Sequence, residues 1–247
     1  PFQFYIRKDP FAMFDFDSLR AQAAYDGVAE IGFADLHGIV PERYAHLPFS
    51  ICLVWKLCNG VVDEIETLSR PSFTYYQHYR SINAALDQLT LKIAGRIEGE
   101  GYRALPIGAS QSVHDMGEYS GAFQHKTAAV HAGLGFIGKS ALFVSHRFGP
   151  RVRLASILTD MPLPCPPSNK LTLSSLCGSC QLCASHCPAH AIHGGLYTAG
   201  DSRDGIFDPK ACSDHMKEAY RNIGRGAVCG ICMAVCPYGK GQKPQEA

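Results

Sequence analysis

Cys177-Gly-Ser-Cys180-Gln-Leu-Cys183-Ala-Ser-His-Cys187-Pro188 places four thiols at spacings of two, two and three residues and closes on a proline. Steps this short wrap a chain round one face of an iron–sulfur cubane. In the bacterial C-x2-C-x2-C-x3-C-P pattern, three Cys hold one [4Fe–4S] cluster and the fourth reaches over to a second. A second run, Cys229-x2-Cys232-x3-Cys236-Pro237, matches the last three positions and lacks the first. Cys212 is the remaining Cys of this region, with residues 213–228 inserted between it and Cys229. Pseudo-symmetry then assigns Cys177, Cys180, Cys183 and Cys236 to cluster I. Cluster II takes Cys212, Cys229, Cys232 and Cys187, and none is left over. The alternatives are two zinc sites or buried free thiols. Zinc knuckles pair two CxxC units, and neither run has that form.

Working outward, the chain has 247 residues, with 23 Lys+Arg against 22 Asp+Glu and a formal net charge of +1. Hydrophobic residues make up 46% and charged residues 18%, a balance that excludes intrinsic disorder and nucleic-acid binding through bulk charge. No run approaches the ~18 consecutive apolar residues of a membrane span. No export signal is visible, so the eleven Cys read as metal ligands in a reducing cytoplasm and not as a disulfide framework. Cys52, Cys58 and Cys165 fall outside both runs and read as inert thiols.

The first 162 residues alternate α and β patterns and are expected to form one domain. Asp17-Ser18 reads as the cap of a helix running to about Tyr25. Val28–Ala34 and Phe49–Trp55 read as buried strands. Ile82, Leu86, Leu89, Ile93 and Ile97 recur at helical steps within a helix from about Ser72 to Gly99. Tyr102–Ile107 reads as a strand and Gln124–Ala132 as a helix. Ala141–Ser145 and Val152–Leu158 read as a hairpin closed by residues 146–150. Four prolines in Met161–Ser168 mark a linker, and residues 163–247 are expected to form the two-cluster domain.

Two cubanes make a wire for single electrons, and the preceding domain is large enough to hold the centre they feed. Gly133-x-Gly135-x-x-Gly138 has the letters of a dinucleotide fingerprint, but it follows a helix and precedes a strand, the reverse of that motif's context. The glycines read instead as a tight backbone passage, with Lys139 able to face an anionic group. Asp35-x-His37-Gly38 lacks the glycine that the cobalamin motif DxHxxG requires at position 40. His125, His131 and His146 gather in sequence around the glycine loop, and a role at a pocket is one reading of them.

The stretch QHKTAAVHAGLGFIGKSALFVSHRFGPRVRLASILTD (124–160), the run CGSCQLCASHCPAHAI and the later ICMAVCPYGK together resemble the epoxyqueuosine reductases and their shorter relatives. That family is in turn similar to the catalytic core of reductive dehalogenases. The resemblance implies an α/β (α+β) fold, with a nitroreductase-like, cobalamin-binding N-terminal domain before a ferredoxin-like double-cluster domain. It implies base-off cobalamin beside the two [4Fe–4S] clusters, with FMN as the alternative. It places cofactor binding on His125, Lys126, Gly133, Gly135, Gly138, Lys139 and Ser140. A low-potential donor such as ferredoxin or flavodoxin would supply the electrons, and a small molecule would receive them.

The chain departs from this family at the proton donor. The family's Asp, in a D-x-A-P-[VI]-L-E-like stretch fourteen residues before the GLG loop, is replaced here by Tyr119 beside Glu118. These two are the candidate acids. The chain also stops soon after the second cluster motif and shows no twin-arginine signal or membrane anchor. A tRNA substrate is therefore disfavoured, and an electron-transfer protein or reductive activator of a separate corrinoid or flavin protein is the competing expectation.

Overall fold

A computed structural model describes residues 14–110 and 119–241. Helix α1 (Phe16–Tyr25) is capped by Asp15, whose carboxylate accepts the Ser18 amide at 2.8 Å. The cap thus lies two residues before the expected Asp17, because Asp15 is the residue with extended backbone and a free side-chain oxygen. Strands β1 (Glu30–Asp35) and β2 (Phe49–Lys56) follow. Helix α2 (Asn59–Leu68) was not expected from the sequence. Its cap, Cys58, makes no side-chain capping bond, so the usual start signal is missing. Helix α3 (Phe73–Gly99) starts where expected. Ser72 Oγ accepts the Tyr75 amide at 3.0 Å and donates to Glu64 of α2 at 2.6 Å. Strand β3 (Ala104–Ile107), helix α4 (His125–His131), and strands β4 (Gly135–Ile137), β5 (Phe143–Ser145) and β6 (Val152–Thr159) complete this part.

The main sheet has the order β1-β2-β6-β3, and every pairing is antiparallel. Successive residues of a strand face opposite sides, and both sides here are covered. Phe33, Ile51, Leu53, Ala155 and Ile157 pack with α1 and α3. Ala34, Cys52, Val54, Leu154 and Leu158 pack with Ala128, Ala129 and Val130 of α4. Burial on both sides is why these strands read as continuous apolar runs.

The expected β5–β6 hairpin does not form. Ser145 and Gly149 close a tight loop through two 2.9 Å backbone hydrogen bonds, with Gly149 at φ 59°. Pro150 then breaks the ladder, having no amide to donate. β5 pairs backwards with β4 in a separate two-stranded sheet, and β6 enters the main sheet between β2 and β3.

The cysteine-rich segment carries α5 (Leu182–Ser185), α6 (Pro209–Ala219) and α7 (Ile231–Ala234). Ile223, Val228, Ile231, Met233 and Ala234 pack in the same core as α1 and α3. Cys187, Ala191 and Ile192 form a smaller cluster of their own, touching Cys183, Cys212 and Cys232.

Candidate redox site

The seven cysteines of the two runs and Cys212 gather into two groups, and all are free thiols. Cys177, Cys180, Cys183 and Cys236 line one small cavity together with Gly138, Lys139, Ser140 and Val144 of the β4–β5 hairpin. The two halves of this group are tied by Tyr238, whose hydroxyl donates to the Leu176 carbonyl at 2.8 Å. The Tyr238 ring also meets Phe136 edge-on at 5.3 Å, which holds the hairpin against the second cysteine run. In the other group, Cys187 and Cys229 lie close enough to raise the Cys212 and Cys232 thiols. Burial, then the neighbouring sulfurs, push Cys183 and Cys212 up to about 11. Cys236 also rises to about 11, mainly through burial. Cys183 and Cys212, one from each group, both lie close enough to raise the Cys232 thiol, after burial.

Packed thiols of this kind resist ionising on their own. A positively charged iron–sulfur core reverses that balance, because metal coordination deprotonates a thiol outright. Among the described residues, no three His, Cys, Asp or Glu side chains converge tightly enough to hold a single ion. The first group lines a small cavity and not a point. The donor set therefore fits cubanes.

A second cavity, of about 430 Å³, opens beside the first group. Ile107, Ala141, Leu142, Phe143, Val152, Leu154 and Phe207 give it apolar walls, and Tyr119, His125, Lys126, Arg153 and Arg203 supply its polar edges. Ser140 lines this cavity and the cysteine cavity alike. One residue of the hairpin turn thus stands between the two spaces.

The polar groups differ in what they can offer a ligand. His125 has both ring nitrogens engaged, with Ser156 Oγ and the Gly108 carbonyl each at 3.0 Å. Burial, opposed by the Gly108 carbonyl, pushes it down to about 4, so it is a neutral wall residue. Lys126 donates to the Ala141 carbonyl at 2.9 Å and keeps two protons for the cavity. Burial, then the nearby Arg203 charge, lowers it to about 8. Arg203 donates to the Tyr119 carbonyl at 3.0 Å and pairs with Asp204 at 3.3 Å. Arg153 lies 4.4 Å from the Tyr79 ring and donates to Asn83 and the Ala109 carbonyl.

Of the residues singled out in the sequence, the structure brings Tyr119, His125, Lys126 and Ser140 to the larger cavity. Tyr119 is 39% exposed and holds a positive φ of 59°, a strained backbone for an aromatic residue. Glu118 lies outside the described residues. Lys139 and Gly138 stand with the cysteines, not in the larger cavity. Gly133 ends α4 at φ 72°, and Gly135 is pressed against the Val144 carbonyl. His131 and His146 are absent from the larger cavity's described walls. Arg153 and Arg203 escaped sequence reading. The signal for Arg153 was a charge inside an apolar strand, whereas Arg203 sits in a polar loop that carries none.

Residues 176–239 match a family model described as a 4Fe-4S double cluster binding domain. Over 144 residues the chain is 31% identical to the tetrachloroethene reductive dehalogenase of Sulfurospirillum multivorans, covering 53% of this chain and 28% of that one. Over 147 residues it is 31% identical to the epoxyqueuosine reductase of Listeria monocytogenes, covering 56% and 34%. About half of the chain is thus similar to both kinds of reductase.

The chain also aligns over 244 residues with the Pseudomonas aeruginosa epoxyqueuosine reductase, at 26% identity, covering 90% and 60%. Among solved structures, a catabolic reductive dehalogenase in complex with 3-bromo-4-hydroxybenzoic acid superposes with a TM-score of 0.64 at 18% identity, covering 89% of this chain and 31% of that one. An epoxyqueuosine reductase superposes with a TM-score of 0.56 at 17%, covering 94% and 67%. The first two curated relatives are matched over only 28% and 34% of their length. The cysteine-rich segment thus matches a double-cluster domain, and both of these curated relatives are named reductases. No helix of the described residues is long and apolar enough to cross a membrane.

Proposed function

We propose that the protein is a single-electron reductase whose cluster I, on Cys177, Cys180, Cys183 and Cys236, feeds a redox cofactor in the 430 Å³ cavity. Cluster II, on Cys187, Cys212, Cys229 and Cys232, is the entry point. The observation that carries this reading is Ser140, which borders the cysteine cavity on one side and the larger cavity on the other. Electron transfer needs close approach, and this arrangement leaves one residue of hairpin in between. Cys183 and Cys232 both pack against the Cys187, Ala191 and Ile192 cluster, which sets the two groups side by side.

The cofactor favoured is base-off cobalamin. A solved relative is described as carrying out B12-dependent dehalogenation. The cavity can take one part of such a cofactor and not the whole of it: its apolar walls can cover part of the ring while Lys126, Arg153 and Arg203 meet amide or phosphate groups at its rim. When bound, cobalamin supplies a cobalt centre that accepts electrons singly and acts on the substrate. The chain's own groups do the rest. His125, held through both nitrogens, fixes the cavity wall and leaves no nitrogen free for cobalt. Lys126, lowered to about 8, holds a proton that it can release near neutral pH. Tyr119 is the second candidate acid, at the rim. The substrate is a small molecule, the donor a low-potential single-electron carrier such as ferredoxin or flavodoxin, and the setting a reducing cytoplasm.

FMN is the second reading, favoured by a volume within the ~300–1,000 Å³ of ordinary small-ligand sites. Anaerobic reconstitution with cobalamin and with FMN, followed by optical spectra, tests the proposal. Stoichiometric binding of cobalamin is expected. Binding of FMN alone would move the assignment to a flavin. Binding of neither would leave an electron-transfer protein or activator.

A further inference from the structure

Lys139 is only 4% exposed, and it stands at the corner of the β4–β5 turn. That turn is held by 2.9 Å hydrogen bonds from the Gly138 amide to the Leu142 carbonyl and from the Ala141 amide to the Gly138 carbonyl. Gly138 lies flush against the first ligand of cluster I, since a Cβ on it would stand 3.4 Å from Cys177 Sγ. Lys139 shares its cavity with Cys177, Cys180, Cys183 and Cys236, and no Asp or Glu is among the described walls. Among the described residues it makes no hydrogen bond or ion pair. A largely buried lysine with no acidic partner favours an anion beside it. A cubane on four thiolates is an anion, and it gains a further negative charge on reduction, so it is the partner this site offers.

Cluster II has a carboxylate at its edge. Asp208 caps α6 through the Ala211 amide at 3.0 Å, and its own carbonyl accepts the Cys212 amide at 3.3 Å.

We propose that Lys139 is the buried counter-charge of cluster I and holds its reduction potential above that of cluster II. One electron from the external low-potential carrier enters cluster II and passes to cluster I, with no bond made or broken. It rests there, next to the larger cavity. Net charge near a cluster is one of the levers that set its potential. The inference rests on the ligand assignment above.

The test is an EPR-monitored redox titration of the anaerobically reconstituted full chain, with iron content measured alongside. Lys139→Met removes the charge and Lys139→Arg keeps it. In Lys139→Met the higher-potential couple is expected to fall by at least a tenfold change in its reduction equilibrium, about 59 mV for one electron. The lower couple and the Lys139→Arg protein stay in place. Loss of one cluster from the Met variant but not from the Arg variant supports the same role. Both couples unmoved in Lys139→Met at full iron content, or equal effects in both variants, overturn it. A Cys177→Ser protein that keeps all its iron refutes the ligand assignment instead, and the inference then falls with it.

Discussion

Gly135 runs so close to Val144 that a Cβ on the glycine would collide with the Val144 carbonyl. That oxygen is backbone, fixed by the β4–β5 register Phe136↔Val144, and cannot move aside. Gly135→Ala is therefore expected to destabilise the fold by about 1–3 kcal/mol, the usual cost of overpacking. Gly138→Ala meets a side chain, Val144 Cγ2 at 3.0 Å, and costs less. Thermal melts of the two variants should rank them in that order.

Removing one ligand separates the two clusters. Cys212 lies at the far end of the insertion from the run it completes, so its assignment is the most demanding. Cys212→Ser is expected to halve the iron, from about eight to about four per chain, and to leave one cubane spectrum. Full iron in this variant would contradict the pairing.

Lys126 is kept at a cost to stability. Its folded value, about 8, lies below the ~10.4 of a free lysine. Stability from this group is present above pH ~10.4 and is lost as the pH falls through about 8. Lys126→Met should therefore stabilise the fold at pH 7, by up to about 3 kcal/mol less the lost bond to Ala141, and raise the melting temperature. The gain should vanish at pH ~10.5. The same variant is expected to lose turnover, the pattern of a residue retained for function.

His125 sets an acid limit. Its folded value, about 4, lies below the ~6.5 of a free imidazole, so the unfolded chain binds more protons between the two. Its contribution is complete above pH ~6.5 and is lost as the pH falls towards 4, by at most about 3 kcal/mol. Melting temperatures of wild type and His125→Gln from pH 7 to 5 should converge, because only the wild type carries this slope.

Much of this architecture was legible in the residues, for identifiable reasons. β1, β2 and β6 are covered on both faces, so their apolar runs stood out, and the helical steps from Ile82 to Ile97 marked α3 through the face it buries. Pairing was not legible where it is non-local. β5 and β6 are neighbours in sequence, yet they belong to different sheets, because Gly149 and Pro150 turn the chain away. The glycine motif pointed to a cofactor passage. Only three dimensions show that it splits, with Lys139 turned to the cysteines and Ala141 and Leu142 to the larger cavity. That cavity draws on residues from 107 to 209, and no local pattern could have joined Arg153 to Arg203.

The central claim is that cluster electrons cross the Ser140 wall into a cofactor bound in the cavity. It is tested most directly by mixing the dithionite-reduced, desalted protein anaerobically with one equivalent of cobalamin and following both optical and EPR signals. The account predicts that the reduced-cluster signal decays as the reduced corrinoid spectrum appears, at a rate independent of protein concentration once the complex has formed. A cluster signal that persists beside bound, unreduced cobalamin would contradict it.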